Sequence, residues 1–262
     1  MRPCLYHFCS RSSGFIQYHR YGTGSSCRKC ASDLFTLLQN GGCDVHKINT
    51  VIFDMDGTVL NTLDDLTDAV NHVFSEFGLP ARNKEDYRKF FGNGIGYAMR
   101  CAAPDGTDDA LFDKMIPVFR DHYNKHCLDK TAPYEGILDL MKALYDKGYK
   151  LAIVSNKIDS AVKELNERFF SEYVTVAIGE KPGIKRKPAA DTVFAALDEL
   201  GSSRDEAIYI GDSEVDLQTA QNAGLPCIAV LWGFRDRDFL VKNGAVTFAE
   251  SPEDVPAVLE SF

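Results

Sequence analysis

The sequence predicts an α/β fold: a mostly parallel sheet with helices on both faces, interrupted after its first strand by an all-helical module. Three observations carry this. Short apolar runs alternate with amphipathic helical stretches along most of the chain. Glycines stand at the helix C-termini, at Gly148, Gly201 and Gly224. One long stretch, from about Leu63 to Thr131, shows helical periodicity and no convincing strand.

In chain order, Val51 to Phe53 reads as a buried strand that ends in Asp54-Met55-Asp56, with Gly57 marking the turn out of the sheet. Helical patterns follow at Leu66 to Phe77, Lys84 to Phe91, Ile95 to Ala102 and Ala110 to Cys127. Asn61-Thr62 and Ala132-Pro133-Tyr134-Glu135-Gly136 bound this segment. The alternation then resumes with a helix at Ile137 to Asp146 and a strand at Lys150 to Val154 that ends in Ser155-Asn156. A helix at Ile158 to Phe170 and a weaker strand at Val174 to Ala177 come next. Beyond them lie a helix at Asp191 to Leu200 and a strand at Ala207 to Ile210 that ends in Gly211-Asp212. A helix at Val215 to Ala223 and a strand at Cys227 to Leu231 complete the pattern. The predicted division is a core of residues 49–62 with 132–262, and a helical cap of residues 63–131. A module inserted there sits over the carboxyl ends of the strands, where open α/β sheets bind ligands.

Composition narrows the function. The 262 residues are 45% hydrophobic with a formal net charge of -9, which argues against nucleic acid or an anionic membrane as the main partner. No apolar run approaches the roughly 20 residues of a spanning helix. Residues 1–48 differ from the rest, with six basic side chains against two acidic ones and five of the eight cysteines. They read as a disordered or non-native extension, with Val45 a candidate start. The competing readings are an organelle transit peptide and a small zinc site built on Cys27, Cys30, Cys43 and His46. Cys101, Cys127 and Cys227 are isolated, which suits reduced thiols in the cytoplasm.

The chemistry is written at the strand ends. Side chains at i and i+2 of an extended segment point the same way, so Asp54 and Asp56 crowd one small space. Two anions so close repel unless one is protonated or a hard cation such as Mg²⁺ lies between them. Asp212 ends another strand and can complete a cation site, while Asp216, one helical turn on, can orient waters or pair with a lysine. Ser155 and Asn156 can donate hydrogen bonds to an anion, or serve as a turn and helix cap. Among the cations around Lys181-Pro-Gly-Ile-Lys-Arg-Lys187-Pro188, chemistry alone does not choose one.

These segments together resemble the haloacid dehalogenase superfamily. Asp54-Met-Asp56-Gly-Thr58-Val-Leu is similar to its first motif in phosphatase form, Ser155 marks the second, Lys187-Pro188 the third, and Gly211-Asp212-Ser-Glu-Val-Asp216 with Ala223-Gly224 the fourth. The resemblance spans about Ile48 to Phe262 and implies a Rossmann-like core with a helical cap. It implies Asp54 as nucleophile and Asp56 as general acid/base, its backbone carbonyl helping to hold Mg²⁺. Lys187 becomes the catalytic cation, Asp54, Asp56 and Asp212 the metal set, Asp216 their support, and Thr58, Ser155 and Asn156 the phosphate-binding groups. Glu214 is expected to face solvent.

Phe91-Gly92-Asn93-Gly94-Ile95-Gly96 with Arg100 resembles the cap loop of phosphoglycolate phosphatases, and Arg100 is the candidate partner of a substrate carboxylate. Asn61 departs from the aspartate usual in that group. The implied activity is Mg²⁺-dependent hydrolysis of a small phosphorylated metabolite, 2-phosphoglycolate foremost, by a monomer or homodimer. The alternatives are a β-phosphoglucomutase-like phosphotransferase, a pyrophosphatase and, last, a non-enzymatic phospho-ligand binder.

Overall fold

The computed structural model describes residues 48–262 and, earlier in the chain, a short antiparallel pairing of Arg11–Ser12 with Phe15–Ile16. The zinc-site, transit-peptide and Val45 readings fall outside the described residues.

From Ile48 onward the chain forms β1 (Thr50–Phe53), β2 (Leu60–Asn61), α1 (Leu63–Glu76), α2 (Lys84–Phe90), α3 (Ile95–Ala102) and α4 (Asp109–His126). Then come β3 (Ala132–Pro133), α5 (Ile137–Asp146), β4 (Lys150–Ile158), α6 (Asp159–Phe169), β5 (Val176–Glu180) and α7 (Asp191–Leu200). The chain continues through β6 (Ala207–Gly211), α8 (Glu214–Ala223), β7 (Cys227–Val230), α9 (Arg237–Lys242), β8 (Phe248–Ala249) and α10 (Val255–Leu259). Six strands form a parallel sheet in the order β8-β7-β6-β1-β4-β5, so β1 is central.

The alternation along β1 explains why the sheet is covered on both sides. Val51 and Phe53 pack with Leu140, Met141 and Leu144 of α5 and Val162 and Leu165 of α6. Ile52 faces the opposite way, into a cluster with Val193 and Leu197 of α7 and Ala220 and Ala223 of α8. Gly201 and Gly224 take left-handed conformations at the ends of α7 and α8, as their positions in the sequence suggest.

The four helices between Leu63 and His126 build a separate apolar cluster. Leu66, Val70, Val73 and Phe74 of α1 meet Phe112, Met115, Phe119 and Tyr123 of α4. The chain enters and leaves this segment side by side, because Leu60 and Asn61 pair antiparallel with Pro133 and Ala132. That two-residue pairing is too short to read from periodicity.

Two predicted strands shift their bounds by two residues or more, and β8, at the edge of the sheet, was not expected at all. β5 begins at Val176, not Val174, because the Val174 N–H bonds the Phe170 carbonyl at 2.8 Å and closes the turn after α6. β4 runs on to Ile158 through an irregularity in its pairing between Val154 and Ile158. Ser155, Asn156 and Lys157 lie in that irregular stretch, where the backbone no longer alternates strictly across the sheet.

The α1–α4 contact carries a row of stacked imidazoles. His72 and His122 have centroids 3.8 Å apart, and His122 and His126 4.4 Å apart. Glu76 lies 2.9 Å from His72, and Asp129 2.8 Å from His126. Burial first, then the charges of His72 and His126, depress the pKa of His122, against the pull of Glu76 and Asp129. His122 therefore contributes stability fully above its ordinary value of 6.5 and loses it as pH falls through the lower folded-state value. The His122→Gln variant should lose less stability than wild type in urea titrations between about pH 7.5 and about pH 5.5. Parallel pH dependences for the two proteins would contradict this.

Candidate active site

The carboxyl ends of β1, β4 and β6 bring the functional groups together. Asp54 follows β1 directly, and its N–H still bonds the Ile210 carbonyl at 2.9 Å. From Met55 the chain folds back on itself, with the N–H groups of Val59 and Leu60 both donating to the Met55 carbonyl. Gly57, at φ 90°, makes that turn where a β-carbon would collide with the Asp212 carboxylate. Gly211 and Gly233 likewise leave room for Asp216 and Asp212.

Lys187 is buried at the centre. Its ammonium lies 2.6 Å from Asp54 Oδ1 and 2.7 Å from Asp216 Oδ1, and donates to the Tyr209 hydroxyl at 3.0 Å. Asp216 is aimed by a capping box at the start of α8. Its Oδ2 accepts from the Ser213 hydroxyl at 2.6 Å and from the Ser213 N–H at 3.1 Å. Asp212 accepts from the Phe234 N–H at 2.6 Å and from the Thr58 hydroxyl at 3.3 Å.

Asp54, Asp212 and Asp216, all buried, can each offer an oxygen within 4.8 Å of the others. Three carboxylates against one lysine leave an excess of two negative charges, which a divalent cation would balance. The crowding shifts the pKa values of the group. Burial, then Asp216, raises Asp54 well above the ordinary carboxylate range, although Lys187 pulls it down. Burial and Asp216 push Asp212 up to about 7. Burial works against the Lys187 charge, but Asp216 and Asp54 outweigh it and hold that pKa above the ordinary lysine value. The donor set is all oxygen, so the residues present fit a hard cation such as Mg²⁺.

Asp56 lines the same cavity as Asp54 but has its own cation. Lys157, with 6% of its side chain exposed, sits 2.9 Å from Asp56 Oδ1 and donates to the Tyr123 hydroxyl of α4 at 2.8 Å. The crowding expected between the two aspartates is thus relieved by two lysines, and the convergent carboxylates are Asp54, Asp212 and Asp216. The Asp56 side chain is not among them.

A family model, the haloacid dehalogenase-like hydrolase model, matches residues 51–230. The chain belongs to the haloacid dehalogenase-like hydrolases. A phosphoglycolate phosphatase of Mesorhizobium japonicum is 31% identical to this hydrolase over 192 residues, covering 71% of this chain and 84% of that protein. The pyrophosphatase PpaX of Bacillus pumilus is 32% identical over 218 residues, covering 81% and 96%. A crystallised protein of Lactobacillus delbrueckii subsp. bulgaricus, provisionally named a phosphoglycolate phosphatase, superposes with a TM-score of 0.78 at 40% identity, covering 81% and 98%. On this kinship the hydrolase is a phosphatase.

Several residues of this hydrolase sit where the sequence did not suggest. Arg100 does not line the cavity. It bonds Asp109 and the Gly96 carbonyl, both at 3.2 Å, and lies over the Phe112 ring, with 46% of its side chain exposed. The reason is helical spacing: Gly96, one turn earlier, faces the same way. Gly92 and Gly94 do line the cavity, whereas the Asn93 amide donates to Glu214 at 3.1 Å. Glu214 does not face solvent alone. It pairs with buried Arg235 at 2.9 Å, and Arg235 in turn donates to the Arg88 and Phe91 carbonyls. The amide of Asn156 bridges the Gly92 and Lys187 carbonyls, and Ser155 reaches Asp56 Oδ2 at 3.4 Å.

Sequence reasoning missed Lys157, Tyr209, Arg235 and the cavity face of α4, formed by Phe119, Arg120, Tyr123 and Asn124. Lys157 alone had a signal, since it follows the Ser155-Asn156 pair already singled out.

Replacing Lys187 with Met removes the one cation among three buried carboxylates, so urea unfolding should show a loss of about 3–5 kcal/mol. A loss below about 1 kcal/mol would contradict its role as their neutralising charge.

Proposed function

We propose that this phosphatase hydrolyses a small phosphomonoester through an aspartyl-phosphate formed on Asp54, with 2-phosphoglycolate the leading candidate. One observation carries the reading: a buried aspartate at the end of the central strand, 2.6 Å from a buried lysine, at the floor of a cavity of about 90 Å³. A cavity of that size suits a few-atom metabolite and not a polymer or a membrane.

Asp54 attacks phosphorus in line, and Lys187 stabilises charge developing on the equatorial oxygens. Ser155, on the cavity wall, can turn its hydroxyl from Asp56 to the phosphoryl group. Thr58 and Asn156 act less directly, holding Asp212 and the Gly92 loop. Asp56 protonates the leaving alkoxide, then takes a proton from the water that hydrolyses the acyl phosphate. Lys157 keeps the Asp56 carboxylate on the cavity wall between turnovers. Asp54 and Asp212, with the Asp56 carbonyl and the support of Asp216, would hold Mg²⁺, which supplies charge neutralisation to the transferring group.

In this reading residues 63–131 act as a cap on a core of residues 49–62 and 132–262, and residues 1–48 are an extension. The enzyme works in the cytoplasm as a monomer or homodimer. Among the described residues no helix is long and apolar enough to cross a membrane. Pyrophosphate is the second substrate reading, supported by a pyrophosphatase relative as similar as the phosphoglycolate phosphatase.

Phosphate release from 2-phosphoglycolate, pyrophosphate, sugar phosphates and p-nitrophenyl phosphate should require Mg²⁺ and stop with EDTA. Asp54→Asn should release none, and Asp56→Asn should slow alkyl esters by roughly 10²–10⁴-fold. Wild-type turnover by Asp54→Asn would end the proposal. Glucose 6-phosphate formation without phosphate release would move it to a phosphotransferase.

A further inference from the structure

The cavity above Asp54 has an uneven lining. Leu66, Phe91, Ile95, Phe119, Ile158 and Ala161 form an apolar wall. Two cations break it, Lys157 at the irregular end of β4 and Arg120 on α4. Lys157 is buried and held by Asp56 and by Tyr123, whose ring also lies 4.5 Å from its ammonium. Arg120 is exposed and makes no hydrogen bond or ion pair with any described residue. Tyr123 and Asn124 lie three and four residues after Arg120, so all three share one face of α4 and line the cavity together.

This face has a chemical consequence. Asp54 with Lys187 receives the reacting phosphoryl group at the floor, and the far end of the substrate then meets α4. A neutral, hydroxylated tail would find few polar partners there beyond Asn124 and Glu180. A tail bearing a second negative charge would meet a guanidinium with all its donors free, beside a partly apolar wall. Arg100, expected from the sequence to meet a substrate carboxylate, is committed to Asp109 and Gly96.

We propose that Arg120, assisted by Lys157, is the receptor for a second anionic group, and that it selects small phosphorylated compounds ending in a carboxylate or another phosphate. The inference rests on the hydrolytic reading of Asp54 and names the residue that chooses among its substrates. Arg120 is a specificity residue that contacts the substrate, and Lys157 is a buried cation lining the same cavity. The planar fork of the guanidinium matches a carboxylate in two-point contact, which a lysine at the same place reproduces only in part.

The test is a matched pair of two-carbon phosphomonoesters, 2-phosphoglycolate and 2-hydroxyethyl phosphate, which differ in the terminal carboxylate. Phosphate release is measured for the full chain with Mg²⁺, for wild type, Arg120→Gln and Arg120→Lys. Wild type should favour 2-phosphoglycolate in kcat/KM, mainly through KM. Arg120→Gln should collapse that preference by between about tenfold and a hundredfold, the worth of a charge-assisted hydrogen bond. Arg120→Lys should retain part of it. Equal use of both esters by wild type, or an unchanged preference in Arg120→Gln, would overturn the assignment while leaving Asp54 hydrolysis in place. Absence of release from both esters by folded wild-type protein, with p-nitrophenyl phosphate still hydrolysed, would also overturn it. Absence of release from all three would overturn the hydrolytic reading itself.

Discussion

One buried lysine holds the site together. Lys187 lies between Asp54 and Asp216, from different parts of the chain, with Tyr209 as a third partner. Taking charges out of water costs several kcal/mol each, and an ion pair repays that only with good geometry and satisfied hydrogen bonds. Both conditions hold at Asp216, whose second oxygen is occupied by Ser213. They are incomplete for the cluster, because Asp212 adds a third buried carboxylate that makes no ion pair among the described residues. The fold accepts an electrostatic debt of two charges at the point where a divalent cation fits. Burial, and after it the charge of Asp216, raises Asp54 and Asp212 together, and the close packing of these carboxylates requires small residues around them. A β-carbon at Gly57, Gly211 or Gly233 would strike Asp212 or Asp216.

The upper half of the site is joined to the lower by side chains that reach across from both sides. Arg235 ties the Arg88 and Phe91 carbonyls to Glu214, at the start of α8. Asn93 meets the same glutamate, and Asn156 reaches Gly92. Gly92 and Gly94, with φ of 114° and 79°, let this loop run close to the cavity. Lys157 connects Tyr123 of α4 with Asp56. The geometry of Asp56 therefore depends on the position of α4, a coupling that links the helical segment to this carboxylate.

Much of this was legible in the chain. The parallel sheet, its helices and the all-helical stretch follow from apolar periodicity, because burying both faces of a strand leaves a continuous apolar run. Asp54 and Asp212 were legible because each follows an apolar run that stops at a charge, whereas Lys187, in the loop before α7, was picked out from its neighbouring cations only by the family resemblance. The cavity face of α4 was not. Arg120 and Arg100 are both arginines on amphipathic helices, and helical spacing does not say which one a distant strand will face. Nor does periodicity register the irregular pairing that turns Lys157 towards Asp56.

By itself the sequence determined which local segments become strand or helix and which chemical groups stand at their ends, since these depend on residues a few positions apart. The tertiary structure decided which charges meet: Lys187 with Asp216, Lys157 with Asp56, Arg235 with Glu214, and Arg100 with Asp109 and not with the cavity. Coulomb energy and desolvation depend on separation in space and on the burial around each group. Both are set by the packing of elements distant in the chain, so no local pattern of residues encodes them.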